Sequence, residues 1–462
     1  MPIQSKNPAT EEIVKTFKEL RNKELEAKVV RAHKAFGFWK NTTWTERKRL
    51  MLKLAKYLRE NSQKLSQLQT IEMGKTISSG PAGIIKCAIL CEYYANHAEK
   101  ILAHEIIQTE TSENYVEFDP LGIVLAVMPW NFPFWQVYRF AVPALMAGNV
   151  GLLKHASNVP QCAEIIEKSF REAGFPEGVF QNLLINSGRV ESLIRDPRIV
   201  AVTLTGSEKA GADVARIAAQ EIKKSVLELG GSDPFIVFPD ADIRHAAHMA
   251  VAARLQNNTG QSCISAKRFI IHKSIAKKFT KEVVSHIAQL VVGDPLDLKT
   301  NIGPLATEQI LLDVKKQVDK SLMRGAKVEY GGKRIGNVGY FYMPTVLSNV
   351  TKGMPVYDEE VFGPVMPIIL FNTEEEAIKI ANDTPYGLGA SIWTKNVKKA
   401  IKKAKGLAVK IDAGNVAINS IVKSDPRAPF GGIKKSGFGR ELSHYGIKEF
   451  VNIKNVSVSG PA

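Results

Sequence analysis

From Asn22 to Lys100 apolar residues recur at helical spacing, with Leu50, Leu54, Tyr57 and Leu58 on one face and Lys and Glu on the other. Few Gly or Pro interrupt the pattern, which predicts an all-helical opening. The period then changes. Tyr115–Phe118 and Gly122–Val127 read as strands around Asp119-Pro120-Leu121-Gly122, a turn by its Pro and Gly. Between residues 123 and 240, apolar runs at Val124–Val127, Gly151–Leu153, Val179–Leu184, Ala201–Leu204 and Phe235–Val237 alternate with helical stretches at Gln161–Ala173 and Ala210–Ile222. That alternation predicts βαβ units and a parallel sheet. A second alternating block runs from about Ala241 to Ile418, with strands near Phe269–Ile271, Val365–Leu370 and Ala390–Trp393. The fold class is therefore α/β with two domains, divided near Gly230-Gly231, and no internal repeat is visible.

The length of 462 residues suits several domains, and 45% hydrophobic with 23% charged residues excludes a disordered scaffold. The net charge of +16 would attract anions. Its basic residues lie in short helical runs such as 15–21 and 398–405, without finger spacing or an aromatic-rich RNA-binding motif, so solvated helix faces are expected and nucleic acid is not. The start of the chain lacks the pattern of an export signal. Its most apolar region, Gly122–Trp135, is broken by Pro129 and Pro133 short of the ~18 residues of a membrane span. Cysteines at 87, 91, 162 and 263 form no CxxC pair, so neither a metal nor a disulfide framework is expected, and a reducing cytoplasm is the simplest setting.

Four passages carry candidate chemistry. Cys263 lies in a polar, Gly-containing passage, Asn258-Thr-Gly-Gln-Ser-Cys263, where a thiol can be accessible; the other three cysteines read as core. Glu228 sits among apolar residues before Gly230-Gly231, as a general base of raised pKa or a salt-bridged buried acid. Asn131, between Pro129 and Pro133, is an oxyanion donor or part of a rigid turn. No G-x-G-x-x-G follows a strand. Instead Val202–Thr205 runs into Gly206-Ser207 and a helix, either a pyrophosphate cradle or a helix start capped by Ser207.

Taken in order, Pro129-Trp-Asn-Phe-Pro133, Lys154, Thr205-Gly-Ser207, Glu228-Leu-Gly-Gly231, Gly260-Gln-Ser-Cys263, Glu359-Glu-Val-Phe-Gly-Pro364 and Pro429-Phe-Gly-Gly-Ile-Lys-Lys-Ser-Gly437 resemble the NAD(P)-dependent aldehyde dehydrogenase superfamily across essentially the whole chain. The resemblance implies a Rossmann-like cofactor domain (1–102 and 121–229), a catalytic domain (230–436) and a β oligomerisation arm (103–120 and 437–462) that makes a homodimer or homotetramer. It implies Cys263 as nucleophile, Asn131 and the Cys263 N–H as oxyanion hole, and Glu228 as the base that activates water. It places Lys154 and Glu360 on the cofactor riboses, Gly206 and Ser207 at the pyrophosphate, and Phe362, Trp130 and Leu229 beside the cofactor.

Ser157 stands where many NAD-preferring relatives carry Glu, which leaves room for a 2′-phosphate and favours NADP, with NAD as the alternative. Arg139 and Ser424 match positions that bind the far carboxylate in succinate-semialdehyde dehydrogenases. A second arginine of some of those enzymes is Asn257 here, and a thiol two residues past the nucleophile is Ser265. A glyceraldehyde-type substrate, or a non-catalytic protein on the same fold, are the competing expectations.

Overall fold

The structure is a computed structural model that describes residues 3–111, 113–256, 258–402 and 406–459; Asn257, and the part of the 398–405 run from 403 to 405, lie outside the described residues. The predicted opening is four helices, Asn22–Trp39, Trp44–Glu60, Ser62–Met73 and Gly80–Ile101. Thr43 caps the second by accepting from the Glu46 N–H, and that helix buries Leu50, Leu54 and Leu58 while Tyr57 stays half-buried. Gly74, at φ +79°, ends the third helix, and a Cβ there would meet Pro304 at 2.7 Å. An N-terminal hairpin of Ile3–Lys6 with Ile13–Phe17 precedes this layer, unanticipated from the sequence.

The first alternating block forms a six-stranded sheet in the order Gly437–Phe438, Lys224–Glu228, Ile199–Thr205, Ile123–Met128, Val150–His155, Phe180–Asn182. All neighbours are parallel except the first pair. Ile123–Met128 lies between a strand that follows it directly and one that comes much later, so the connections diverge there. In open α/β sheets that switch point leaves a crevice beyond the carboxyl ends of the strands. Pro133 opens the buried helix Pro133–Met146 immediately after the central strand.

The second block forms a seven-stranded sheet in the order Lys327–Tyr330, Thr345–Ser348, Val365–Phe371, Arg268–His272, Pro234–Val237, Gly389–Trp393, Asn415–Ile418, parallel but for its first strand. The chain leaves the first sheet at Glu228 and enters the second at Pro234, across Gly230-Gly231, so the Phe235–Val237 run, expected in the first block, instead pairs with Arg268–His272 and Gly389–Trp393 in the second sheet. A third, antiparallel sheet joins Glu105–Ile106, Glu113–Pro120 and Val451–Val458. Residues 437–450 depart from the expected arm. Gly437–Phe438 extends the six-stranded sheet beside Glu228, and Ser443–Ile447 is a helix, because the chain's return toward the arm passes along the first domain. No helix among the described residues is long and apolar enough to cross a membrane.

Candidate active site

Four carboxyl-terminal strand ends deliver predicted residues to one crevice. Met128 leads into Trp130 and Asn131, His155 into Ser157, Thr205 into Gly206 and Ser207, and Glu228 into Leu229. Buried His155 braces the first two: its Nε2 lies 3.0 Å from the Pro133 carbonyl and its Nδ1 accepts from the Ala156 N–H at 2.9 Å. Burial pushes its pKa down to about 4, so at neutral pH it acts as an uncharged strut.

The nucleophile loop arrives from the second domain, ahead of Arg268–His272. Gly260, at φ +76°, turns it so closely past Gly363 that a Cβ would sit 2.2 Å from the Gly363 carbonyl oxygen. Lys267, fully buried, donates from Nζ to the carbonyls of Ser262 (3.0 Å) and Cys263 (2.6 Å) and lies 3.2 Å from Glu360 Oε1. The Gln261 carbonyl accepts one hydrogen of Asn131 Nδ2 at 3.2 Å, which sets that amide two residues from Cys263 with its second hydrogen uncommitted. The Cys263 N–H makes no hydrogen bond among the described residues. Two donors are thus available to an oxygen beside the sulfur. Burial pushes the half-buried Cys263 thiol up to about 12, against the pull of Arg139 and Lys267, so a partner must take its proton. Cys87, Cys91 and Cys162 are buried.

Glu228 is buried, and its Oε1 has no hydrogen-bond partner among the described residues. Burial, and then the neighbouring Glu441 carboxylate, hold its pKa well above the usual range, while Arg139 and Arg440 oppose the shift. Arg139 corrects an expectation: its guanidinium is not a free fork. Its Nε is paired with Glu441, its Nη2 lies 3.4 Å from Thr205 Oγ1, and its plane sits over the Phe430 ring at 4.9 Å. A guanidinium this deeply buried needs a counter-charge, which Glu441 provides. Among the described residues Nη1 makes no hydrogen bond, and Nε meets Glu441 as an ion pair without one.

At the cofactor end, Lys154 is buried without an acidic partner among the described residues, and burial lowers its pKa. Ser157 is exposed on the turn that follows. Ser207 proves to be a helix cap, accepting from the Ala210 N–H at 3.3 Å, and the Gly206 N–H is taken by the Glu228 carbonyl at 3.0 Å. The helix Glu208–Gln220 still points its amino end at the crevice, so an anion there meets the helix start rather than Gly206 itself. Leu229 is fixed by its N–H to the Ser436 carbonyl. Glu360 accepts from the Gly231 N–H at 3.0 Å. Trp130 and Phe362 meet edge to face, ring centroids 5.8 Å apart. An uncompensated buried cation beside an exposed hydroxyl, with a helix amino end nearby, fits a dinucleotide carrying a 2′-phosphate.

A cavity of about 230 Å³ opens beside Cys263 and includes Phe132, Trp135, Arg139, Ser424 and Phe430. It therefore brings both predicted substrate residues to the nucleophile. It also brings Lys75 and Lys86, which sequence reasoning missed, as it missed Glu441, His155 and Lys267; helical spacing gives Lys86 no mark that separates it from a surface lysine.

The arrangement of thiol, amide and buried carboxyl at the crevice defines a class. The chain matches the Aldehyde dehydrogenase family over residues 1–456, and it belongs to that family. It is 50% identical over 459 residues to the probable NADP(+)-dependent succinate-semialdehyde dehydrogenase of Synechocystis sp., covering 99% of this chain and 100% of that protein. To the NADP(+)-dependent succinate-semialdehyde dehydrogenase 1 of Mycobacterium tuberculosis it is 49% identical over 462 residues, covering 99% and 100%. Among solved structures, succinic semialdehyde dehydrogenase of Streptococcus pyogenes in complex with NADP+ superposes with a TM-score of 0.96 at 38% identity, covering 99% of this chain and 100% of that one.

Proposed function

We propose that the protein oxidises succinate semialdehyde to succinate with NADP. The observation that carries this reading is the cavity beside Cys263, whose wall presents cations and the Ser424 hydroxyl to the far end of a short aldehyde. The half-identical relatives that bear that activity support it.

In the mechanism, Cys263 Sγ gives up its proton to solvent water in the crevice as it attacks the aldehyde carbon, and the oxyanion accepts hydrogen bonds from Asn131 Nδ2 and the Cys263 N–H. The nicotinamide, when bound, supplies the hydride acceptor. The substrate is left as a thioester on Cys263, and Glu228 takes a proton from water, whose oxygen attacks that thioester to release the acid and the thiol. Lys154 and Ser157 hold the 2′-phosphate end of the cofactor, Glu360 a ribose, and Trp130, Leu229 and Phe362 border it. Gly206 and Ser207 shape the approach to the pyrophosphate. Ser424 and the remaining Nη1 of Arg139 face the substrate carboxylate.

In the same reading the six-stranded unit binds the cofactor, the seven-stranded unit carries the nucleophile, and the protein works in the cytoplasm as a homo-oligomer. The arm supports this last point: Ile106 and Ile453 are 63% and 62% exposed, and Val451–Val458 is an edge strand.

Turnover of succinate semialdehyde, glyceraldehyde and propanal, each with NADP and with NAD, tests the reading. The highest kcat/KM is expected for succinate semialdehyde with NADP. Preference for glyceraldehyde returns the substrate to a neutral aldehyde, and no reduction of either cofactor leaves a structural protein on this fold.

A further inference from the structure

We infer that Lys86 and Lys75, two ammonium groups on the helical layer, form the principal grip on the substrate's far carboxylate and so set specificity for acid-terminated aldehydes. The inference rests on the reading above and adds to it residues that no motif marks.

Both lysines line the Cys263 cavity, and neither makes an ion pair among the described residues. Lys75 is buried and makes no hydrogen bond or ion pair among the described residues; its Nζ sits 4.8 Å from the Phe132 ring centroid. Lys86 donates to Ser424 Oγ at 2.6 Å and lies 4.0 Å from the Trp135 ring centroid. Aromatic faces and one hydroxyl are weak substitutes for a counter-charge. The acid whose field reaches Lys86, Asp425, is already engaged by Arg427, whose Nε and Nη2 reach the two carboxylate oxygens at 2.8 and 2.7 Å. Arg139, the third cation of the cavity, is matched by Glu441. The cavity wall therefore carries two more positive charges than negative ones.

Placement in the chain explains how this arises. Gly74 turns the backbone at the end of Ser62–Met73 so that Lys75 enters the cavity instead of continuing a helix face. Lys86 stands on Gly80–Ile101 next to Cys87, which faces the core. Burial lowers both ammonium groups to about 8, helped at Lys75 by the charge of Lys86 and at Lys86 by that of Arg139, so they stay protonated at neutral pH under electrostatic strain. A carboxylate from the substrate relieves that strain, and Lys86 with its hydroxyl partner Ser424 presents two donors to it. A neutral aldehyde of similar length relieves nothing. Specificity thus comes from charge already stored in the apo protein.

The test uses the full-length enzyme with NADP, comparing wild type, Lys86→Met, Lys75→Met and Lys86→Arg. The first readout is the ratio of kcat/KM for succinate semialdehyde to that for propanal. The second is the inhibition constant of succinate against propanal turnover, which judges the carboxylate grip whichever aldehyde proves physiological. Each Met variant is expected to lower the ratio by about tenfold to a hundredfold, through KM rather than kcat, and to weaken succinate inhibition in step. Lys86→Arg should restore most of both. A wild type that does not prefer succinate semialdehyde overturns the parent reading alone, because succinate inhibition still reports the lysines. Equal losses on both aldehydes, or succinate inhibition that is absent from wild type or survives in both Met variants, overturn the inference itself.

Discussion

On one side of the catalytic crevice, Arg139, Glu441 and Glu228 are buried together with half-buried Arg440 beside them, a cluster in which cations and acids answer one another. On the other sides, half-buried Lys86 and buried Lys75 beside Cys263, and buried Lys154 at the cofactor end, make no ion pair among the described residues. The matched cluster is the protein's own affair: removing one member leaves a stranded charge. The unmatched lysines cost the empty protein stability and are repaid only when an anion arrives. A buried ion pair is weak evidence for a binding role, and a buried lone ammonium facing a cavity is stronger. Arg139 looked like the substrate residue by position, yet its surroundings place it mostly with the first group.

The largest effect separates chemistry from charge altogether. Cys263→Ala should lower turnover by at least about a thousandfold while NADP binding, followed by protein fluorescence quenching, stays close to wild type. Glu228→Gln should still deliver one equivalent of NADPH per site in a stopped-flow burst, followed by steady turnover about a hundredfold slower; a missing burst would assign Glu228 to the thiol's proton rather than to water.

The matched cluster is broken by Arg139→Ala, which leaves Glu441 buried and unpaired. A loss of about 3–5 kcal/mol is expected in denaturant unfolding, with both aldehydes affected. Adding Glu441→Gln should recover most of that stability and the propanal turnover. Succinate semialdehyde affinity should recover only in part, by the share that Nη1 supplies.

The unmatched lysines make a pH prediction. Their lowered values mean that protons leave them as pH rises through about 8, whereas free lysine would hold them to 10.5. The KM for succinate semialdehyde should therefore climb above pH 8 while that for propanal does not. Across the same window the unfolded chain binds more protons than the folded one, so this contribution to stability rises with pH, and Lys86→Met should raise Tm at pH 7 by ~2 °C. The smallest effect is at the cofactor: Ser157→Glu should move the NADP-to-NAD ratio of kcat/KM toward NAD by about tenfold, and an unchanged ratio would mean that Ser157 does not face the adenosine ribose.

Most strands were legible as local apolar runs and the connecting helices as local periods, but Lys224–Glu228, Lys327–Tyr330, Thr345–Ser348 and Asn415–Ile418 were not, each being only four or five residues long. Cys263 and Asn131 stood out as candidates in polar or Pro-bounded passages against those runs, and Glu228 as a lone carboxylate among apolar residues before Gly230-Gly231. What escaped was tertiary. Glu441 meets Arg139 only when the chain returns along the six-stranded sheet, and no spacing announces it. Lys86 lies one residue before a core cysteine on a helix whose other lysine, Lys100, is exposed, so composition averages the two together. The Gly206-Ser207 turn satisfied both readings in part: Ser207 caps its helix, and the helix start still faces the crevice.

The antiparallel pairing of Gly437 with Glu228 sets the order in which the enzyme can come into being on the ribosome. Most of the six-stranded sheet can assemble while synthesis continues, since its five parallel strands lie between residues 123 and 228. The wall around the base cannot, because Gly431, Arg440 and Glu441 and the edge strand beside Glu228 are translated more than two hundred residues later. A nascent chain can therefore hold a nucleotide fold and a thiol without yet owning a finished hydrolytic centre. Only emergence of its closing segment, which goes on to zip Val451–Val458 against Glu113–Pro120, turns the half-made protein into a catalyst.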